Sequence, residues 1–76
     1  MNNIKYYKSY KGSNVTFSMV NNDYYVKFIR FDKDNVKVRR DNIPILEHYS
    51  FKEEQKRNPE WVDEEITKEE FFIYWL

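Results

Sequence analysis

Val15-Thr16-Phe17-Ser18-Met19-Val20-Asn21-Asn22-Asp23-Tyr24-Tyr25-Val26-Lys27-Phe28-Ile29-Arg30-Phe31 is the run that decides the fold. Its first five residues alternate apolar with polar, a period of two that in a strand places Val15, Phe17 and Met19 on one face. Asn21-Asn22-Asp23 then brings together residue types that tolerate positive φ and close tight turns. From Tyr24 to Phe31 the β-branched and aromatic residues resume, broken by Lys27 and Arg30, as expected of a strand covered on both faces. Two such runs around a turn make a hairpin.

The pattern extends in both directions. Ile4 to Tyr10 is rich in strand-favouring aromatics, and Lys11-Gly12-Ser13-Asn14 follows with the only glycine of the chain, where a hairpin can use positive φ. Asp32-Lys33-Asp34-Asn35 reads as a further turn, and Val36-Lys37-Val38-Arg39 alternates again. Strands are therefore expected over residues 4–10, 14–20, 24–31 and 36–40, in an antiparallel meander. Pro44 restricts Ile43 to extended geometry. Residues 45–51 fit either a fifth strand or the first turn of a helix. Ser50-Phe51-Lys52-Glu53 has the spacing of a capping box, favouring a short helix over 51–57. Asn58-Pro59-Glu60 reads as a helix start, with Asn as cap, or as a turn.

Thr67-Lys68-Glu69-Glu70 is a second capping box, with two carboxylates in the electropositive first turn of a helix over 68–75. Phe71 with Trp75, and Phe72 with Leu76, are four residues apart and give that helix one aromatic face to lay on the sheet. Trp61 and Ile66 are expected to close the same core. The expectation is one α+β domain over residues 1–76.

With 76 residues and no cysteine, the chain has no disulfide to restrict its unfolded state, and stability rests on packing. Six Phe, seven Tyr and two Trp supply that packing. The longest apolar stretch, Phe71 to Leu76, is far too short to span a bilayer, and no apolar leader follows Met1. A cytoplasmic protein without a membrane role is expected.

Chemistry is thinly provided for. His48 is the only imidazole, there is no thiol, and one glycine cannot build a phosphate-cradling loop. His48 reads as a surface or packing residue. Neighbouring carboxylates such as Glu64-Glu65 or Glu69-Glu70 lack the separation, across a cleft, of an acid–base pair. Asp32-Lys33-Asp34 opens like a calcium loop, but Lys37 stands where glycine is needed and Ile43 where the bidentate Glu is needed. The expected reading is a non-enzymatic protein without cofactor or metal.

The charges point to binding. The formal net charge is zero, yet residues 1–40 hold nine Lys or Arg against three Asp, while residues 41–76 hold four against ten Asp or Glu. Mutual complementarity of the two halves is the plain explanation. The functional one is that a charged face meets a partner. Glu60, Trp61, Asp63, Glu64, Glu65 and Glu69 combine dense carboxylates with an aromatic anchor, beside Phe72 and Tyr74, and suit a basic groove on a nucleic-acid-binding protein. Size and texture then suggest a phage or mobile-element inhibitor of a host factor, a steric blocker of the anti-CRISPR kind. The alternative is a nucleic-acid binder using Lys27, Lys37, Arg39 and Arg40, with Tyr7 and Tyr25 sharing the outward parity of Lys5 and Lys27 as stacking platforms. A third class, a homodimer through Phe72, Tyr74 and Leu76, is open to the same sequence.

Overall fold

The computed structural model describes residues 3–31, 37–42 and 50–75. The elements run β1 (Ile4–Lys11), β2 (Asn14–Asn21), β3 (Tyr24–Phe31), β4 (Lys37–Asn42), α1 (Phe51–Arg57), β5 (Val62–Ile66) and α2 (Lys68–Trp75). The strands form one antiparallel sheet in the order β4-β3-β2-β1-β5. The meander, the short helix and the C-terminal helix are as the periodicity and caps require, so the fold is α+β. The fourth strand runs over 37–42. His48 and the ambiguous residues 45–49 lie outside the described residues, as does the Asp32-Lys33-Asp34 stretch.

Turn chemistry sets both tight hairpins. Lys11 pairs with Asn14 across Gly12-Ser13, and Gly12 has φ +59°, the first central position of a II′-like turn. Asn21 pairs with Tyr24 across Asn22 and Asp23, at φ 50° and 76°, the two positive values a type I′ turn needs. Both turns match the right-handed twist of the strands they join.

The helices cover opposite faces. On one, Phe17, Ile29 and Phe71 are buried together, with α2 lying over β1 and β2. Val15, Met19, Phe31 and Ile66 pack around them. Tyr6 tilts against Phe71 at 5.3 Å between ring centroids, Phe71 stacks with Trp75 at 6.0 Å, and Phe17 stacks with Tyr74 at 4.2 Å. Each such pair adds about 0.5–1.5 kcal/mol to the burial of its rings. Thr67 Oγ1 accepts from the Glu70 amide at 3.1 Å, as its capping box requires.

On the other face Phe51, at the start of α1, stacks on Tyr7 at 4.2 Å and meets Tyr25 edge-on at 5.6 Å. The Glu53 amide donates to Ser50 Oγ at 3.3 Å, the N-cap bond of the first capping box. The β2–β3 turn holds the same helix end: Asp23 accepts from Ser50 Oγ at 2.7 Å, from the Lys52 amide at 3.1 Å, and through its carbonyl from the Phe51 amide.

One expectation needs correction, one open alternative is resolved, and one strand is new. Asn58 ends α1, its amide donating to the Glu54 carbonyl at 3.0 Å, so of the two readings of residues 58–60 the turn is the one adopted. Val62–Ile66, unassigned from sequence, is the edge strand β5, held by β1. Trp61 lies on the α1 side and leaves the α2-side core to Ile66.

Candidate partner-binding site

The register of β5 on β1 places its charges. Asp63 faces Ser9, Glu64 faces Lys8, and Glu65 faces Tyr7. Since side chains alternate across a strand, Asp63 and Glu65 lie on the α1 side while Val62, Glu64 and Ile66 lie on the α2 side. Glu69 follows in the first turn of α2. The six residues expected to form one surface are thus divided over the two sides of the β5 edge, with Glu60 and Trp61 in the turn before it.

Their contacts show how the acidic half meets the basic one. Lys11 Nζ and Glu60 form an ion pair at 3.2 Å with both side chains about half exposed. A hydrogen bond to its own backbone, and then Lys11, hold the Glu60 carboxyl below its ordinary range. Tyr10 donates to Glu64 Oε1 at 3.1 Å, and that bond is the chief reason the Tyr10 phenol is pushed up. Asp63 Oδ1 accepts from Ser9 Oγ, and its Oδ2 accepts from Gln55 Nε2 at 3.3 Å. Burial first, then Glu65, Asp63 and Asp23, raise Tyr7. Burial and then Glu69 raise Tyr6. Of the accompanying aromatics, Phe72 packs on the core and Tyr74 covers Phe17, so neither is a spare anchor.

The shared parity expected of Tyr25 and Lys27 does not hold. Met19 pairs with Lys27 and Val20 with Tyr25, leaving Val26 as a bulge between them. This extra residue reverses the parity of β3. Lys27 therefore sits on the α2 side, its Nζ 4.5 Å from the centroid of the Trp75 ring, while Tyr25 shares the α1 side with Tyr7 and both rings meet Phe51. In the β4 backbone Arg39 is opposite Arg30, Arg40 opposite Ile29, and Lys37 opposite Phe31 across a second bulge.

A feature that sequence reasoning missed lies between α1 and the sheet. Ser9, Thr16 and Ser18, on neighbouring strands, floor a cleft of about 190 Å³. Tyr25, Phe28 and Trp61 give it aromatic walls. Glu54 and Gln55 from α1, Asn58 at its C-cap, and Asp63 complete the lining. Glu54 is engaged by Arg57 at 3.2 Å and by Asn58 Nδ2 at 3.3 Å. Burial first, and then Asp63, Glu54 and Asp23, push the Tyr25 phenol well above its ordinary value, so it stays neutral in an electronegative setting. The signal in the sequence was the choice of Ser and Thr over Lys at strand positions that periodicity assigns to solvent.

Among the described residues no group of three or more His, Cys, Asp or Glu is placed to hold a metal ion, and no helix is long and apolar enough to cross a membrane. Comparison of this chain with protein-family models, with curated proteins and with solved structures returns no match.

Proposed function

We propose that this chain is a non-enzymatic protein-binding module that captures a basic surface on its partner through the β5 edge. The observation that carries the reading is the end of the sheet itself. β5 is the terminal strand, and it carries three successive carboxylates, Asp63, Glu64 and Glu65, preceded by Trp61 and Glu60. Glu64 and Glu65 are exposed. Charge on an edge strand discourages pairing with a like edge and favours a partner of opposite sign, while an adjacent Trp supplies the apolar anchor that charges alone lack.

Action on that partner is steric: a small sheet-and-helix body covers a basic groove, in the manner of an anti-CRISPR-like inhibitor of a nuclease from a phage or mobile element. Charge reversal tests the reading. Glu64→Lys with Glu65→Lys abolishes retention of protein from nuclease-treated lysate, and Lys27→Glu leaves it intact. Retention on polynucleotide that survives the first pair and fails with Lys27→Glu contradicts the reading and favours nucleic-acid binding.

A further inference from the structure

The cleft under α1 has a size and a chemistry that select an occupant. Ligand sites for drug-sized molecules run from about 300 to 1,000 Å³. At about 190 Å³ this cleft suits a single side chain. Ser18 lines it and is 1% exposed. Its hydroxyl oxygen is an acceptor that an entering donor can use.

Asp63 points to the sign of that donor. It is half-buried, it accepts from Ser9 and Gln55, and no cation lies within ion-pair distance of it among the described residues. A carboxylate has about four acceptor positions, so roughly two remain. Tyr25, Phe28 and Trp61 add aromatic surface, whose quadrupoles attract a cation and repel an anion. A guanidinium offers five donors and no acceptor on a plane that stacks on rings, and it gives up its hydration more readily than an ammonium.

We propose that this cleft receives one arginine side chain of the basic partner protein, with Asp63 taking the guanidinium, Ser18 accepting a further N–H, and Trp61 and Tyr25 flanking its stem. The inference rests on the protein-binding reading above and supplies its anchor. Glu54, whose ion-pair partner Arg57 is largely exposed, adds negative charge at the cleft.

The test is an NMR titration of the ¹⁵N-labelled full chain with Nα-acetyl-argininamide in the millimolar range, where one side chain detached from its protein is expected to bind. The Trp61 indole N–H, the Ser18 amide and the Gln55 side-chain amide shift and saturate together, while the Trp75 indole stays in place. The neutral isostere Nα-acetyl-citrullinamide binds at least about tenfold more weakly, a margin of about 1.4 kcal/mol. Asp63→Asn reduces arginine affinity at least about tenfold, the same margin. Because Asp63 also ties Ser9 to β5, a second variant guards against misfolding. Gln55→Glu, at an exposed position that also lines the cleft, replaces the amide donor to Asp63 with a second carboxylate and tightens arginine several-fold without changing the isostere. Absence of a saturable shift at Trp61, or equal affinity for the isostere, overturns the assignment. If that happens while Glu64→Lys with Glu65→Lys still abolishes protein capture, the cleft assignment falls alone and the edge surface stands.

Discussion

Asp23 is the residue whose replacement tests most sharply how α1 is fixed over the sheet. It occupies the β2–β3 turn at φ 76°, and its carboxylate accepts from Ser50 Oγ at 2.7 Å and the Lys52 amide at 3.1 Å. Asp23→Ala removes both acceptors, at about 1 kcal/mol each for partly exposed bonds. It also leaves a Cβ in the left-handed region without a polar side chain to offset it, at about 1 kcal/mol more. The expected loss is about 3 kcal/mol. Asp23→Gly also loses the acceptors but relaxes the backbone, so about 2 kcal/mol is expected; Asp23→Asn keeps one acceptor and tolerates the turn, so about 1 kcal/mol. At about 0.05–0.15 kcal/mol per residue, 76 residues give a total of about 4–11 kcal/mol. The Ala variant therefore loses a large share of its stability, and its Tm falls by roughly 12–24 °C. Urea unfolding followed by circular dichroism measures the series, and amide exchange in residues 51–57 shows whether α1 opens before the sheet. Equal costs for Ala and Asn, or a Gly variant less stable than Ala, would refute the latch.

Phe71, fully buried, and Ile73, 71% exposed, sit two residues apart on α2. Phe71→Ala is expected to cost about 3–5 kcal/mol and Ile73→Ala under about 0.5 kcal/mol by urea unfolding, and similar costs would mean that α2 is docked by a different face. Gly12→Ala costs only the backbone term, about 1 kcal/mol, since no atom lies within 4 Å of the added Cβ. A loss of several kcal/mol would place a clash where none is seen. The Tyr25 phenol is raised in the folded state, so the unfolded chain gives up this proton first as pH rises. Stability is insensitive to Tyr25 below pH ~10, its ordinary value, and falls above it by at most about 1.4 kcal/mol per pH unit. Denaturation midpoints between neutral pH and pH ~11 check this, and Tyr25→Phe makes the decline shallower. An unchanged slope contradicts the burial of that hydroxyl.

What was legible in the sequence was local. The two-residue period of β2, the Gly12 and Asn22-Asp23 turns, and the capping boxes at Ser50 and Thr67 each act over a few residues, and each appears where the residue types place it. Strand β5 was not legible, because Asp63-Glu64-Glu65 has no intrinsic preference for a strand. Its pairing comes from β1, more than fifty residues earlier, where Ser9, Tyr10 and Lys11 meet Asp63, Glu64 and Glu60. The bulge at Val26 was equally hidden: one unpaired residue leaves composition and propensity untouched while placing Tyr25 and Lys27 on opposite faces. The acidic residues of the candidate site could be picked out by density alone. Their division over two sides of an edge, and the cleft that Ser18 and Trp61 line, depend on where α1 crosses the sheet.

Site-specific photocrosslinking addresses the central claim most directly. With a photoreactive phenylalanine at Glu65 on β5, or alternatively at the exposed Ile73 on α2, the chain is irradiated in nuclease-treated lysate. A protein adduct from position 65, joined to a peptide rich in Arg and Lys, and none from position 73, is the result expected of an acidic recognition edge. An adduct from position 73 alone, or one from position 65 only to nucleic acid when nuclease is omitted, would contradict it.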